Sequence, residues 1–167
     1  MGRILYRIKN EFRLIGCRLA VISVSVLFCA MGGILLWVNG GSGWYIVNTL
    51  HKNSLPLSVI FLTWLIVYAL YGFRLAVRGF CPCDKRYAAV QGAVCLAYIF
   101  DLVWYALFFC TRLSLFALIM ILIAVFLNIT AFVRSGRGVI TARWADIAVV
   151  LCEIFYAVFT VMYGLLK

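Results

Sequence analysis

Five stretches of this chain are apolar, almost free of charge and each about as long as a bilayer is thick. Residues 19–38 form an uncharged run of 20, and residues 113–133 an uncharged run of 21. Residues 57–73 are uncharged over 17 positions, and the apolar pattern continues past Arg74 to 77. Residues 87–110 contain one acid, Asp101, and residues 147–166 contain one acid, Glu153. A helix rises about 1.5 Å per residue, so roughly 20 residues cross a hydrocarbon core about 30 Å thick. Backbone polar groups in lipid must be satisfied within the segment, which makes these runs helices. The alternation expected of barrel strands is not seen.

Composition supports the same solvent. The chain has 167 residues, of which 67% are hydrophobic and 12% charged. A soluble domain carries about 45–50% apolar and about 25% charged residues, and one this small has too little interior to hide the excess. The expected fold is therefore an all-α integral membrane protein, a single domain of five transmembrane helices spanning residues 1–167. The net charge of +10 sits at the ends of the apolar runs, where it faces anionic headgroups and sets topology; it does not indicate nucleic acid as a partner.

The basic residues alternate between connections. Arg3, Arg7, Lys9 and Arg13 precede the first run, and Lys52 alone lies in the 39–56 loop. Arg78, Lys85 and Arg86 follow, then Arg112, then Arg134, Arg137 and Arg143, then Lys167. By the positive-inside rule the N-terminus is cytoplasmic and the C-terminus lies outside. The first apolar run is too long for a signal peptide and reads as an uncleaved span. Residues 4–14 mix bases with apolar side chains, as in a short interfacial helix.

Seven cysteines are present, five of them in or beside apolar runs, where a thiol behaves as a small hydrophobe. Cys81 and Cys83 lie in a basic loop without a second Cys or His pair at zinc spacing, so they read as reduced thiols rather than a metal site. His51 is the only histidine, and no Ser or Cys stands at a recognisable nucleophile motif with a base, which argues against a hydrolase.

Two runs depart from plain aliphatic composition. Phe61, Trp64, Tyr68 and Tyr71 recur at three- and four-residue spacing and share a helix face. Tyr98, Asp101, Trp104, Tyr105 and Phe108 do the same in the next run. Two such faces either line a pocket between helices or form an aromatic packing seam. Asp101 and Glu153 are the acids deep in the runs, and a charge there costs about 2.5–3.5 kcal/mol on insertion scales. They are expected to face the bundle interior, neutral or bonded to tyrosine, backbone or water. Counted from the cytoplasmic ends they lie roughly 21 Å and roughly 9 Å in, which argues against their pairing. Arg18 and Arg74 lie near run ends, where snorkelling accounts for them. The long 39–56 loop, with Trp44 and His51, either rests at the interface or acts as a lid.

The residues 49–56 together with Phe61, Trp64, Tyr68 and Gly72 resemble the first loop and second helix of the tryptophan-rich sensory protein (TspO/MBR) family. Trp64, Tyr68 and Gly72 match its Trp-x-x-x-Tyr-x-x-x-Gly pattern, and Asp101, Trp104, Phe108 and Phe109 resemble its Asn-x-x-Trp-x-x-x-Phe-Phe signature. The loop here has Pro56 where the family has a proline pair, Asp101 replaces the family asparagine, and the family's fifth-helix Pro-Tyr-x-x-Trp signature is not recognisable between residues 145 and 167. The resemblance implies a five-helix bundle in a bacterial cytoplasmic membrane, often a homodimer. It implies binding of a tetrapyrrole such as protoporphyrin, or another hydrophobic small molecule, as a ligand rather than an obligatory cofactor. Porphyrin photodegradation is the one enzyme-like activity it suggests. Carried over by position, Trp64, Tyr68, Asp101, Trp104 and Tyr105 are the pocket residues, with Trp44 and His51 on the lid. Two other readings stay open: a small proton-coupled transporter using Asp101 and Glu153, and a regulatory membrane subunit without a ligand.

Overall fold

The computed structural model describes residues 18–31, 34–35, 38, 57–79, 85–135 and 140–165. Helix α1 covers Arg18–Met31, and α2 covers Leu57–Gly79. Helix α3 covers Lys85–Tyr105 and passes into a π-helical stretch, Ala106–Cys110. Helix α4 covers Ser114–Arg134. Helix α5 covers Ile140–Thr160 and ends in a second π-helical stretch, Val161–Leu165. The expected interfacial helix over 4–14, the 39–56 loop with Trp44 and His51, and the loop with Cys81 and Cys83 lie outside the described residues.

Among the described residues four helices are long and apolar enough to cross a membrane: Val59–Val77, Ala88–Cys110, Ser114–Arg134 and Arg143–Leu165. They form the bundle expected of an integral membrane protein. Neighbours in sequence pack together, and α5 closes back onto α2. Helix α1 lies against α2 and α3: the Tyr98 hydroxyl on α3 donates to the Cys29 carbonyl at 3.2 Å. Helix α5 begins well before the apolar run at 147, because its first turns carry Arg143 and Asp146, which a search for uncharged residues rejects.

The α3–α4 connection is short because α3 ends abruptly. Thr111 donates its N–H to the Ala106 carbonyl, five residues back, and Leu113 donates to Leu107. Arg112 takes φ = 61° between them. A residue in the left-handed region turns the chain at a helix end, a place glycine usually fills. The consecutive rings Phe108 and Phe109, within the π stretch, are both buried.

Side-chain size is sorted in the manner of a membrane protein. On α4 the inward positions are Ala117, Ile121, Ala124, Asn128 and Ala131, whereas Leu115, Phe116, Leu122, Phe126 and Val133 face outward. Lipid tails are as apolar as leucine, so large aliphatic groups gain nothing by moving inward; small inward residues let the helices approach. The buried polar groups, Arg74, Asp101, Asn128, Asp146, Glu153 and Thr160, all face the bundle interior.

Helices α1 and α2 approach closely at Gly72. A Cβ added there would lie 2.4 Å from the Ser25 carbonyl oxygen and 2.6 Å from the Val26 Cα. Both are backbone atoms, so the helices themselves would have to separate. At Gly92, on the outer face of α3, an added Cβ meets nothing within 4 Å. Gly72→Ala is expected to destabilise the bundle by about 1–3 kcal/mol, the usual cost of overpacking. Gly92→Ala should leave stability unchanged or slightly raised. Unfolding of the two variants by SDS titration from mixed micelles, followed by circular dichroism, checks the contrast.

Candidate functional site

Helices α2, α3 and α5 meet along a column of aromatic rings. Trp64 and Tyr68 come from α2, one helical turn apart, and Asp101, Trp104 and Tyr105 come from the last turns of α3. All five side chains are at most 1% exposed. Trp64 stacks on Tyr105, with centroids 4.1 Å apart and planes 17° from parallel. Tyr68 meets Trp64 edge-on at 4.6 Å and Tyr98 edge-on at 5.4 Å. On the far side, Trp104 stacks on Tyr156 of α5 at 4.8 Å. Its indole N–H donates to the Thr160 hydroxyl at 2.9 Å, and that hydroxyl donates to the Tyr156 carbonyl at 2.7 Å. Offset stacks and edge contacts of this kind contribute about 0.5–1.5 kcal/mol beyond burial alone. The rings pack on one another and fill the seam between the three helices.

Within this column several polar atoms are buried and have no hydrogen-bond partner: both carboxyl oxygens of Asp101, the Trp64 indole nitrogen, and the Tyr68 and Tyr156 hydroxyls. They lie close to one another. Asp101 is within electrostatic reach of Tyr68 and Tyr156, and the Tyr68 hydroxyl lies beside both Asp101 and the Trp64 indole nitrogen without meeting hydrogen-bond geometry. Buried polar atoms are ordinarily paired, and exceptions of this kind mark a missing water, ion or ligand, or a functional role.

A second polar cluster lies beside the column and joins α2, α4 and α5. Arg74 Nε donates to Asp146 Oδ1 at 2.6 Å, and Arg74 Nη2 donates to Asn128 Oδ1 at 2.7 Å. Asn128 Nδ2 donates at 2.6 Å to the Tyr71 hydroxyl and at 2.6 Å to Glu153 Oε1. Tyr71 in turn donates to Glu153 Oε1. Both partners of the Arg74–Asp146 ion pair are fully buried. Arg74 therefore does not snorkel to the interface: its guanidinium turns inward, because Asp146 supplies a counter-charge and Asn128 a further acceptor. Asp101 and Glu153 are joined by Asp146 as a third buried acid, which the apolar run beginning at 147 excludes. Asp101 and Glu153 make no direct hydrogen bond but lie close enough to act on each other electrostatically.

Spacing places Trp64 and Tyr68 on one helix face and Asp101, Trp104 and Tyr105 on another, and the resemblance joins the five in one pocket; in the structure they are buried side by side in the seam between the helices. Trp44 and His51 lie outside the described residues. The third wall, Glu153, Tyr156 and Thr160, is a face of α5 at three- and four-residue spacing, the same signal that marks α2 and α3. Asn128 is the one amide in an otherwise apolar α4, a visible cue in itself. A separate groove of about 150 Å³ lies between α4 and α5, lined by Ile129, Phe132, Asp146, Ile147, Val150 and Leu151. Ile129, Ile147 and Leu151 are exposed there on the lipid-facing side, so the groove is one that an acyl chain would fill.

No family model, curated protein or solved structure matches the chain.

Breaking a buried ion pair by removing one partner costs about 3–5 kcal/mol, because the other charge is left uncompensated; replacing both partners with apolar groups is often near neutral. Asp146→Asn is accordingly expected to lower the thermal midpoint in dodecyl maltoside sharply. The double variant Arg74→Met/Asp146→Leu should recover most of the loss. A double variant no more stable than Asp146→Asn would mean that the pair is not what joins α2 to α5.

Proposed function

We propose that this chain is a membrane receptor or carrier for a hydrophobic planar ligand, bound at the aromatic column between α2, α3 and α5. A tetrapyrrole is the ligand class implied by the resemblance to the tryptophan-rich sensory proteins. The observation that carries the reading is the convergence of Asp101, Trp64, Tyr68 and Tyr156, each with a buried polar atom that makes no well-formed hydrogen bond, although Tyr68 lies beside Asp101 and Trp64, and Tyr156 beside Thr63. A core built only for packing would place phenylalanine at such positions, since an unmet buried donor or acceptor costs about 1–3 kcal/mol. A flat ligand with polar substituents would gain stacking from the rings and hydrogen bonds from these atoms. Its entry requires the Trp64–Tyr105 stack to part.

In this reading the bundle has five spans, with the stretch that begins as α1 as the first. The alternation of Lys and Arg supports a cytoplasmic N-terminus, and the resemblance implies a bacterial cytoplasmic membrane. The 39–56 loop, with Trp44 and His51, lies outside the described residues, and a homodimer is the assembly the resemblance implies.

One observation favours a second reading, a proton-coupled transporter. Asp101 and Glu153 are both buried and close enough to interact, while the buried arginine is taken up by Asp146 and Asn128. Interacting intramembrane acids are features of proton relays, and here Arg74 also acts on Glu153.

Protoporphyrin IX titrated into the purified protein should quench tryptophan fluorescence saturably, in the micromolar range or tighter. Trp64→Phe and Trp104→Phe should each weaken binding by about tenfold, or about 1.4 kcal/mol. Linear quenching unaffected by either substitution would mean partition into the micelle and would remove support for a tetrapyrrole site. Asp101→Asn separates the two readings. Ligand binding survives it in a receptor, whereas proton-driven uptake into vesicles is abolished in a transporter.

A further inference from the structure

The core of the bundle is unbalanced in charge. Among the described residues it holds three carboxyl side chains, Asp101, Asp146 and Glu153, and one basic side chain, Arg74. Arg74 is turned to Asp146 and Asn128. Glu153 receives hydrogen bonds from Tyr71 and Asn128 on Oε1, and none on Oε2. Asp101 receives none on either oxygen, although no part of it is exposed. The Tyr68 hydroxyl lies beside Asp101, and Tyr156 is within its electrostatic reach; Trp64 packs edge-on against Tyr68, and Tyr156 stacks on Trp104. A buried carboxyl either keeps its proton or is paired with a cation, so a cation at this place would favour the ionised form, and the faces of tryptophan and tyrosine rings attract positive charge.

We propose that the ligand of this site is an organic cation. Its positive charge meets Asp101, with Glu153 as the second acid within electrostatic reach, and its planar body lies among Trp64, Tyr68 and Tyr156. The inference rests on the receptor reading and narrows its ligand. An anionic macrocycle such as protoporphyrin IX would bring its propionates against two acids, with only the Nη1 of Arg74 left to oppose them, so on this proposal a planar cation binds more tightly than protoporphyrin does. A bare metal ion is a poorer occupant: among the described residues no group of three or more His, Cys, Asp or Glu side chains could hold one. An organic cation needs one counter-ion and several ring faces, and these are the groups present.

The test uses two probes of the same three-ring shape, 10-methylacridinium and 9-methylanthracene, which differ by a positive charge at one ring atom. Each is titrated into the full chain in uncharged maltoside micelles and followed by tryptophan quenching, with mutual competition to separate binding from partition. The chain carries +10 overall, which disfavours non-specific attraction of a cation. The acridinium should bind saturably and on the order of tenfold or more tighter than the hydrocarbon. Asp101→Asn should remove that preference while 9-methylanthracene still binds. The comparison of the two probes on the unaltered protein needs no variant to fold. Equal or tighter binding of the hydrocarbon would overturn the cation proposal and leave the receptor reading standing. Saturable binding of neither probe would overturn both.

Discussion

The buried cluster of Arg74, Asp146, Asn128, Tyr71 and Glu153 is the constraint around which the rest of the bundle is arranged. In lipid, apolar surface gives helices no reason to prefer one another over acyl chains, so specificity comes from close packing and polar contacts. Here one arginine on α2 reaches α5 through Asp146 and α4 through Asn128, and Asn128 carries the network on to Glu153. Each of these groups would be costly to leave alone at this depth. Together they admit only arrangements in which α2, α4 and α5 meet at one level. The small residues on the inner face of α4, Ala117, Ala124 and Ala131, then let its backbone come close to its neighbours.

The aromatic column is held by that frame. Tyr71 belongs to the polar cluster, and Tyr68, one residue short of a full turn before it on α2, belongs to the column. Glu153 and Tyr156 divide in the same way on α5. The two sites are therefore continuous: Asp101, at the edge of the column, interacts with Glu153, at the edge of the cluster. What distinguishes them is satisfaction. The atoms of the cluster mostly bond one another, whereas Asp101, Trp64, Tyr68 and Tyr156 present polar atoms that the chain leaves unmet. That difference is the physical basis for assigning binding to the column and structural support to the cluster.

Much of the column was legible before any coordinates, and for one reason. Aromatic and acidic residues repeated at three- and four-residue spacing must share a helix face, and lipid has no use for a face carrying Trp64, Tyr68, Asp101 and Trp104. The same rule applied to α5 marks Glu153, Tyr156 and Thr160. Arg74 and Asp146 were hidden. Each lies near the end of an apolar run, where a charged side chain ordinarily reaches water, and nothing local says that the two ends face each other.

The sequence alone determined the solvent and that the apolar runs are helical, though not where α5 begins or the π-helical turns that end α3 and α5. Charge-free runs of bilayer length can only be helices in lipid, because no water is available to satisfy the backbone. It also determined which face of α2 and of α3 turns inward, since helical periodicity is a local property. Only the tertiary structure decided that Asp146 pairs with Arg74, that Asn128 links that pair to Glu153, and that Tyr156 completes the aromatic column. Those partners are between 25 and 72 residues apart in the chain. Their meeting depends on how the helices are rotated and slid against one another, which the pattern within any one helix does not contain.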